Sequence, residues 1–176
     1  PGTPDLVYVE YDNNTSTQGS ADLRGRLVLV ADTSSVPLQR SYLTPDTLRC
    51  GEPHWDPSGT KLCFSVENAT DFTRHLYTLD MTLSNPQPVQ ITVGESRDFS
   101  PRWSPDGRHI AFTSDRTNRW GVWVVRPEGE AKGLTLVSFE DPNASVYTPS
   151  WTADGLSLIV SSDGRGGGGA NPLRSL

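Results

Sequence analysis

Few side chains in this sequence have both the type and the spacing to do chemistry. Acyl transfer on a hydrolase scaffold needs a Gly-x-Ser-x-Gly turn leading into a helix, where the nucleophile stands on a strained elbow. The nearest approach, Gly94-Glu-Ser-Arg-Asp98, lacks the second glycine and is not followed by a helical segment. Ser96 therefore reads as a polar connector residue. His54, His75 and His109 have no recurring Asp or Ser companion and read as packing or surface residues rather than general bases. Asp56, Asp106 and Asp154 recur with a repeated turn phrase, which points to turn or capping duty. Cys50 and Cys63, 13 residues apart, flank an expected hairpin. Their only close histidine is His54, and tetrahedral zinc wants four ligands. Buried free thiols are the expectation and a disulfide is the alternative. The glycines from Gly164 to Gly169 lack the Lys-Ser/Thr ending of a phosphate-binding loop. The expectation is no catalytic residue, no metal site and no cofactor, so not an enzyme.

Composition narrows the partners. A net charge of −6 without a Lys/Arg run argues against binding a nucleic-acid backbone, which needs clustered cations. No stretch approaches the roughly 18 apolar residues of a spanning helix, and Pro1-Gly-Thr-Pro-Asp5 has neither the basic nor the apolar segment of a signal peptide. Fourteen prolines and sixteen glycines predict many turns and few long helices. Asn13, Asn14, Asn68 and Asn143 each open an Asn-x-Ser/Thr triplet, a glycan acceptor only in a secreted eukaryotic chain.

The elements that must position these residues follow from one repeat. Trp55, Trp103 and Trp151 lie 48 residues apart and open the phrases WDPSGTKLCF, WSPDGRHIAF and WTADGLSLIV. A fixed period of about 20–50 residues is the mark of solenoids, propellers and arrays. In the best-formed unit Phe99–Trp103 turns through Pro-Asp-Gly into 108–114, and Gly121–Val125 and Gly133–Val137 follow. The preceding unit repeats this with Trp55, Leu62–Ser65, His75–Leu79 and Pro88–Thr92. The first unit offers Leu6–Glu10, Leu27–Val30 and Ser41–Thr44, as if it had lost its Trp strand, and the last offers Trp151 and Leu156–Val160. That makes thirteen strands in units of three, four, four and two. The predicted fold is all-β, a partial or irregular β-propeller of four-stranded antiparallel blades, three to four of them visible. Blades are expected over 1–164 and a Gly-rich flexible tail over 165–176. Both ends fall in mid-blade, which suggests a piece of a longer propeller, with an open arc completed by another subunit and a small irregular ring with one degraded blade as the alternatives.

The phrase SPRWSPDGRHIAFTSDR followed by GVWVV resembles the repeat of the TolB-type, WD-like β-propeller family. The unit at Trp55 departs from it with Ser58 in place of the turn Asp, and the unit at Trp151 with Thr152-Ala153 in place of Ser-Pro. The resemblance implies a non-catalytic scaffold or protein-interaction subunit of an extracytoplasmic, periplasmic assembly at the bacterial envelope. Its partners would be proteins in a larger, membrane-associated complex. Propellers with this repeat also precede prolyl-oligopeptidase-type peptidase domains, the second expectation. A carbohydrate- or small-ligand-binding propeller is the third.

In a propeller the connections between second and third strands share one rim. Here they are 11–25, 67–74, 115–120 and the run from Ser162. Loops on a rigid scaffold commonly carry binding, and Phe72, Arg74, Arg116, Arg119 and Trp120 give this rim the aromatic and Arg content of interface hot spots. These five are the predicted partner-binding residues.

Overall fold

The computed structural model describes residues 6–12, 24–31, 36–137 and 144–163. The expected tail, and most of the 11–25 connection, lie outside them. Among the described residues the strands are β1 (Leu6–Asp12), β2 (Arg24–Ala31), β3 (Gln39–Tyr42), β4 (Arg49–Trp55), β5 (Lys61–Glu67), β6 (Arg74–Asp80), β7 (Val89–Gln90), β8 (Asp98–Trp103), β9 (Ile110–Ser114), β10 (Gly121–Val125), β11 (Leu134–Leu136), β12 (Val146–Trp151) and β13 (Leu158–Ser162). They form four sheets in chain order, β1-β2-β3, β4-β5-β6-β7, β8-β9-β10-β11 and β12-β13, every pairing antiparallel. The expected fold class and grouping hold. The fourth strand of each full unit is shorter than the expected Pro88–Thr92 and Gly133–Val137: Pro88 has no N–H to give at the start of β7, while Ile91 N still donates to Leu76 O and Val137 N to Val122 O just past β7 and β11.

Each Trp phrase makes the first hairpin of its sheet. Gly59, Gly107 and Gly155 carry φ of 69, 69 and 70°, a left-handed turn position that glycine fills without strain. A carboxylate caps each turn. Asp106 Oδ1 accepts from Ser104 Oγ and Arg108 N, and Asp154 Oδ1 from Thr152 Oγ and Leu156 N. In the first phrase the two residue types are exchanged: Asp56 stands two positions earlier and accepts from the backbone N–H groups of Ser58, Thr60 and Lys61. Its hydrogen bond with the Ser58 hydroxyl keeps the same pairing in reverse order. Capping duty thus holds for all three aspartates, although Asp56 is not the positional equivalent of the other two.

The Trp strands share a second device. Glu52, Ser100 and Thr148, again 48 apart, have φ of 54, 51 and 46°, and each precedes a proline. At each site the register slips, between Gly51 and His54, Phe99 and Arg102, and Tyr147 and Ser150, so two residues oppose one. This is a β-bulge, and it accommodates a proline, which has no N–H to give a ladder. The bulge N–H then joins neighbouring sheets. Ser100 N donates to Glu52 Oε2 (2.8 Å), and Thr148 N donates to Thr113 Oγ1 (3.0 Å).

Apolar layers fill the space between successive sheets. Leu27, Cys50, Leu62, Phe64 and Leu79 lie between the first and second, Cys63, Leu76, Trp103, Ile110 and Phe112 between the second and third, and Ala111, Val122, Val146 and Leu158 between the third and fourth. Both cysteines are buried free thiols, and burial pushes Cys50 up to about 11, so neither is a nucleophile near neutral pH. Thr44 and Thr92 accept from Leu27 N and Leu76 N, which aligns the first sheet with the second. By that register Tyr8 stands where Phe64 and Phe112 pack onto the preceding blade. The far face of the first sheet is instead polar: Glu10 bonds Arg40 and Tyr42, and Arg26 stacks on Tyr42.

Candidate interaction rim

The rim at the start of each Trp strand is held by a repeated clamp. Arg49 Nη1 meets Glu67 Oε1 at 3.2 Å, Arg97 Nε meets Asp115 Oδ2 at 2.8 Å, and Ser145 N donates to Asp163 Oδ1 at 3.2 Å. The partners recur at 48-residue spacing, so the end of each second strand grips the beginning of the first. The residue that enters each third strand then leans on the next blade. Arg74 is paired with Glu67 at 2.8 Å and lies 4.5 Å from the Phe99 ring. Its counterpart Trp120 sits between Phe99 (5.4 Å) and Tyr147 (6.1 Å), with Arg97 5.1 Å above its ring.

Behind this row lies a buried polar knot. Asp98, fully buried, receives Arg116 Nη2 on both oxygens at 3.1 Å, while Arg116 Nη1 reaches Glu130 at 2.9 Å. Arg116 also lies over Phe112 and Trp123, and its side chain is only 13% exposed. Burial alone would raise the Asp98 pKa, but the groups around it, His75, Ser114, Thr92 and Arg116, outweigh that and hold it below its ordinary value. His75 Nδ1 stands 3.8 Å from Asp98 Oδ2, beyond hydrogen-bond reach. Ser96 Oγ donates to Asp98 rather than to a histidine, so these side chains are not arranged as an activated nucleophile. Among the described residues no three His, Cys, Asp or Glu side chains are placed to hold a metal ion.

Between the third and fourth sheets the rim opens into a groove of about 370 Å³ lined by Arg97, Asp115, Asn118, Arg119, Trp120 and Ser145. Of the five predicted residues, Arg119 and Trp120 line this groove. Phe72, 62% exposed at φ 58°, and Arg74 occupy the neighbouring loop and strand entry. Arg116 is turned inward onto Asp98. Arg97 and Asp115 are not among the five predicted residues, yet the sequence carries a signal for them: Arg49 and Arg97 share the 48-residue period with Glu67 and Asp115.

Stacked antiparallel sheets tied edge to edge at their innermost strands define an arc of a β-propeller. The chain belongs to the TolB beta propeller domain family, whose profile matches residues 6–170. It is 33% identical over 114 residues to a Bacillus subtilis protein described as an uncharacterized peptidase, YuxL, covering 62% of this chain and 16% of that one. It is 33% identical over 91 residues to the Tol-Pal system protein TolB of Syntrophus aciditrophicus, covering 51% of this chain and 19% of that one. In fold it is similar to TolB from Acinetobacter baumannii, with a TM-score of 0.66, 20% identity, and coverage of 89% of this chain and 34% of that one. The chain thus spans a fraction of its curated relatives' lengths, from 16% to 39% for three of them. No helix among the described residues is long and apolar enough to cross a membrane.

Proposed function

We propose that this propeller is a non-catalytic protein-binding module of an extracytoplasmic assembly, of the kind for which its Tol-Pal relatives are named. The observation that carries the reading is the rim groove, where an aromatic platform and exposed arginines meet on loops clamped to a rigid scaffold. Partner affinity of the full-length native chain tests it. Arg119→Ala and Trp120→Ala should each weaken capture of the co-purifying partner by about tenfold, roughly 1.4 kcal/mol. Unchanged affinity in both would remove the rim from the account.

The likeness to a peptidase-described relative supports a second reading, the propeller portion of a prolyl-oligopeptidase-type peptidase. Labelling of the full-length chain by a fluorophosphonate would favour it over the scaffold.

A further inference from the structure

Arg97 is fixed in place while its terminal donors stay open. Its backbone N–H donates to Asp115 Oδ1 and its Nε to Asp115 Oδ2, both at 2.8 Å. Trp120 lies under the guanidinium, 5.1 Å from its Cζ, so the two hydrogen bonds and the ring together hold its position. The terminal nitrogens Nη1 and Nη2 donate to nothing among the described residues, and the side chain is 52% exposed. A guanidinium presents its donors as a planar fork that matches a carboxylate. Its rotamer freedom is already spent on Asp115 and Trp120, which lowers the entropy cost of binding a ligand. Asn118, held at φ 59°, and Ser145 add polar groups to the groove walls. The preceding joint is arranged differently. There Glu67 draws both Arg49 and Arg74 onto itself, so the equivalent arginine shares its carboxylate with a second cation.

We propose that the groove takes a carboxylate from an acidic segment of a protein partner, with the Nη edge of Arg97 as its anchor. This rests on the reading of the rim as a protein-binding face. The chain carries −6 overall, so the molecular field does not draw in an acidic peptide, and recognition has to come from the local fork.

The test uses the full-length chain labelled with 5-fluorotryptophan, its Trp120 resonance assigned through Trp120→Phe. The probes are the hexapeptide Gly-Asp-Gly-Glu-Asp-Gly and its amide counterpart Gly-Asn-Gly-Gln-Asn-Gly, both blocked at the ends. The acidic peptide should shift the Trp120 resonance saturably and the amide peptide should not. Arg97→Lys, which keeps the charge and loses the fork, should weaken binding about fivefold or more. Arg108→Lys, in a turn on the opposite rim, should leave it unchanged. Equal shifts from both peptides would overturn the carboxylate anchor while leaving the rim as a binding face. Full affinity in Arg97→Lys, no shift with the acidic peptide, or displacement of that peptide by inorganic phosphate at a lower concentration would each overturn the proposal.

Discussion

Two titratable residues, the buried Asp98 and the half-buried His54, tie this fold to pH in the same direction. Asp98 is held below the ordinary carboxylate range, so its stabilisation is present above about pH 4 and lost as pH falls through its folded value. Burial, then the nearby Arg102 charge, lowers His54, whose Nδ1 accepts from Trp103 N at 3.3 Å and so serves in the neutral form. Its stabilisation is present above about 6.5 and lost as pH falls below that value. Denaturant midpoints should therefore drop in two stages on acidification. His54→Asn, whose Oδ1 can replace Nδ1 as acceptor, should remove the upper stage. Asp98→Asn should flatten the lower one and cost on the order of 3 kcal/mol at neutral pH, because it leaves Arg116 underpaired. An unaltered acid profile in either variant would refute that residue's role. Neither role was legible in the sequence, because the partners of Asp98 come from positions 75, 92, 114 and 116, on different strands and loops. What could be read was the negative result that Ser96 and the histidines lacked a shared catalytic spacing.

At the scale of elements, legibility depended on whether a residue type announces its backbone. The glycines at 59, 107 and 155 did, and the turns fall where the phrase placed them. The bulges did not, since Glu52, Ser100 and Thr148 share no chemistry that signals a left-handed residue. The prolines after them were the available clue, because a proline inside a strand has no N–H for the ladder and sits at an edge or a bulge. Thr148 is the costliest of the three as a β-branched residue at positive φ. Thr148→Gly should raise stability by about 1 kcal/mol in thermal melts, even with its hydroxyl contact to Ser161 lost. Gly107→Ala should lower it by about the same amount. A destabilised Thr148→Gly would mean that the bulge is held by its side chain rather than strained by it.

For the whole molecule, the repeat made the propeller and its grouping into three, four, four and two strands readable, because period, turn chemistry and alternating apolar residues all agreed. The rim was readable only as a set of loops. Which of its arginines face outward depended on ion pairs between strands, and these sent Arg116 inward and placed Arg97 at the groove. In the proposed function that rim is the working surface of a protein-binding propeller. Photo-crosslinking in the native cells tests this most directly, with a benzophenone amino acid introduced in the full-length chain at Phe72, already an exposed aromatic, and separately at Ser58 in a turn on the opposite rim. A discrete protein adduct from position 72 that is absent from position 58 is the predicted result. The same adducts from both positions, or none from either, would contradict it.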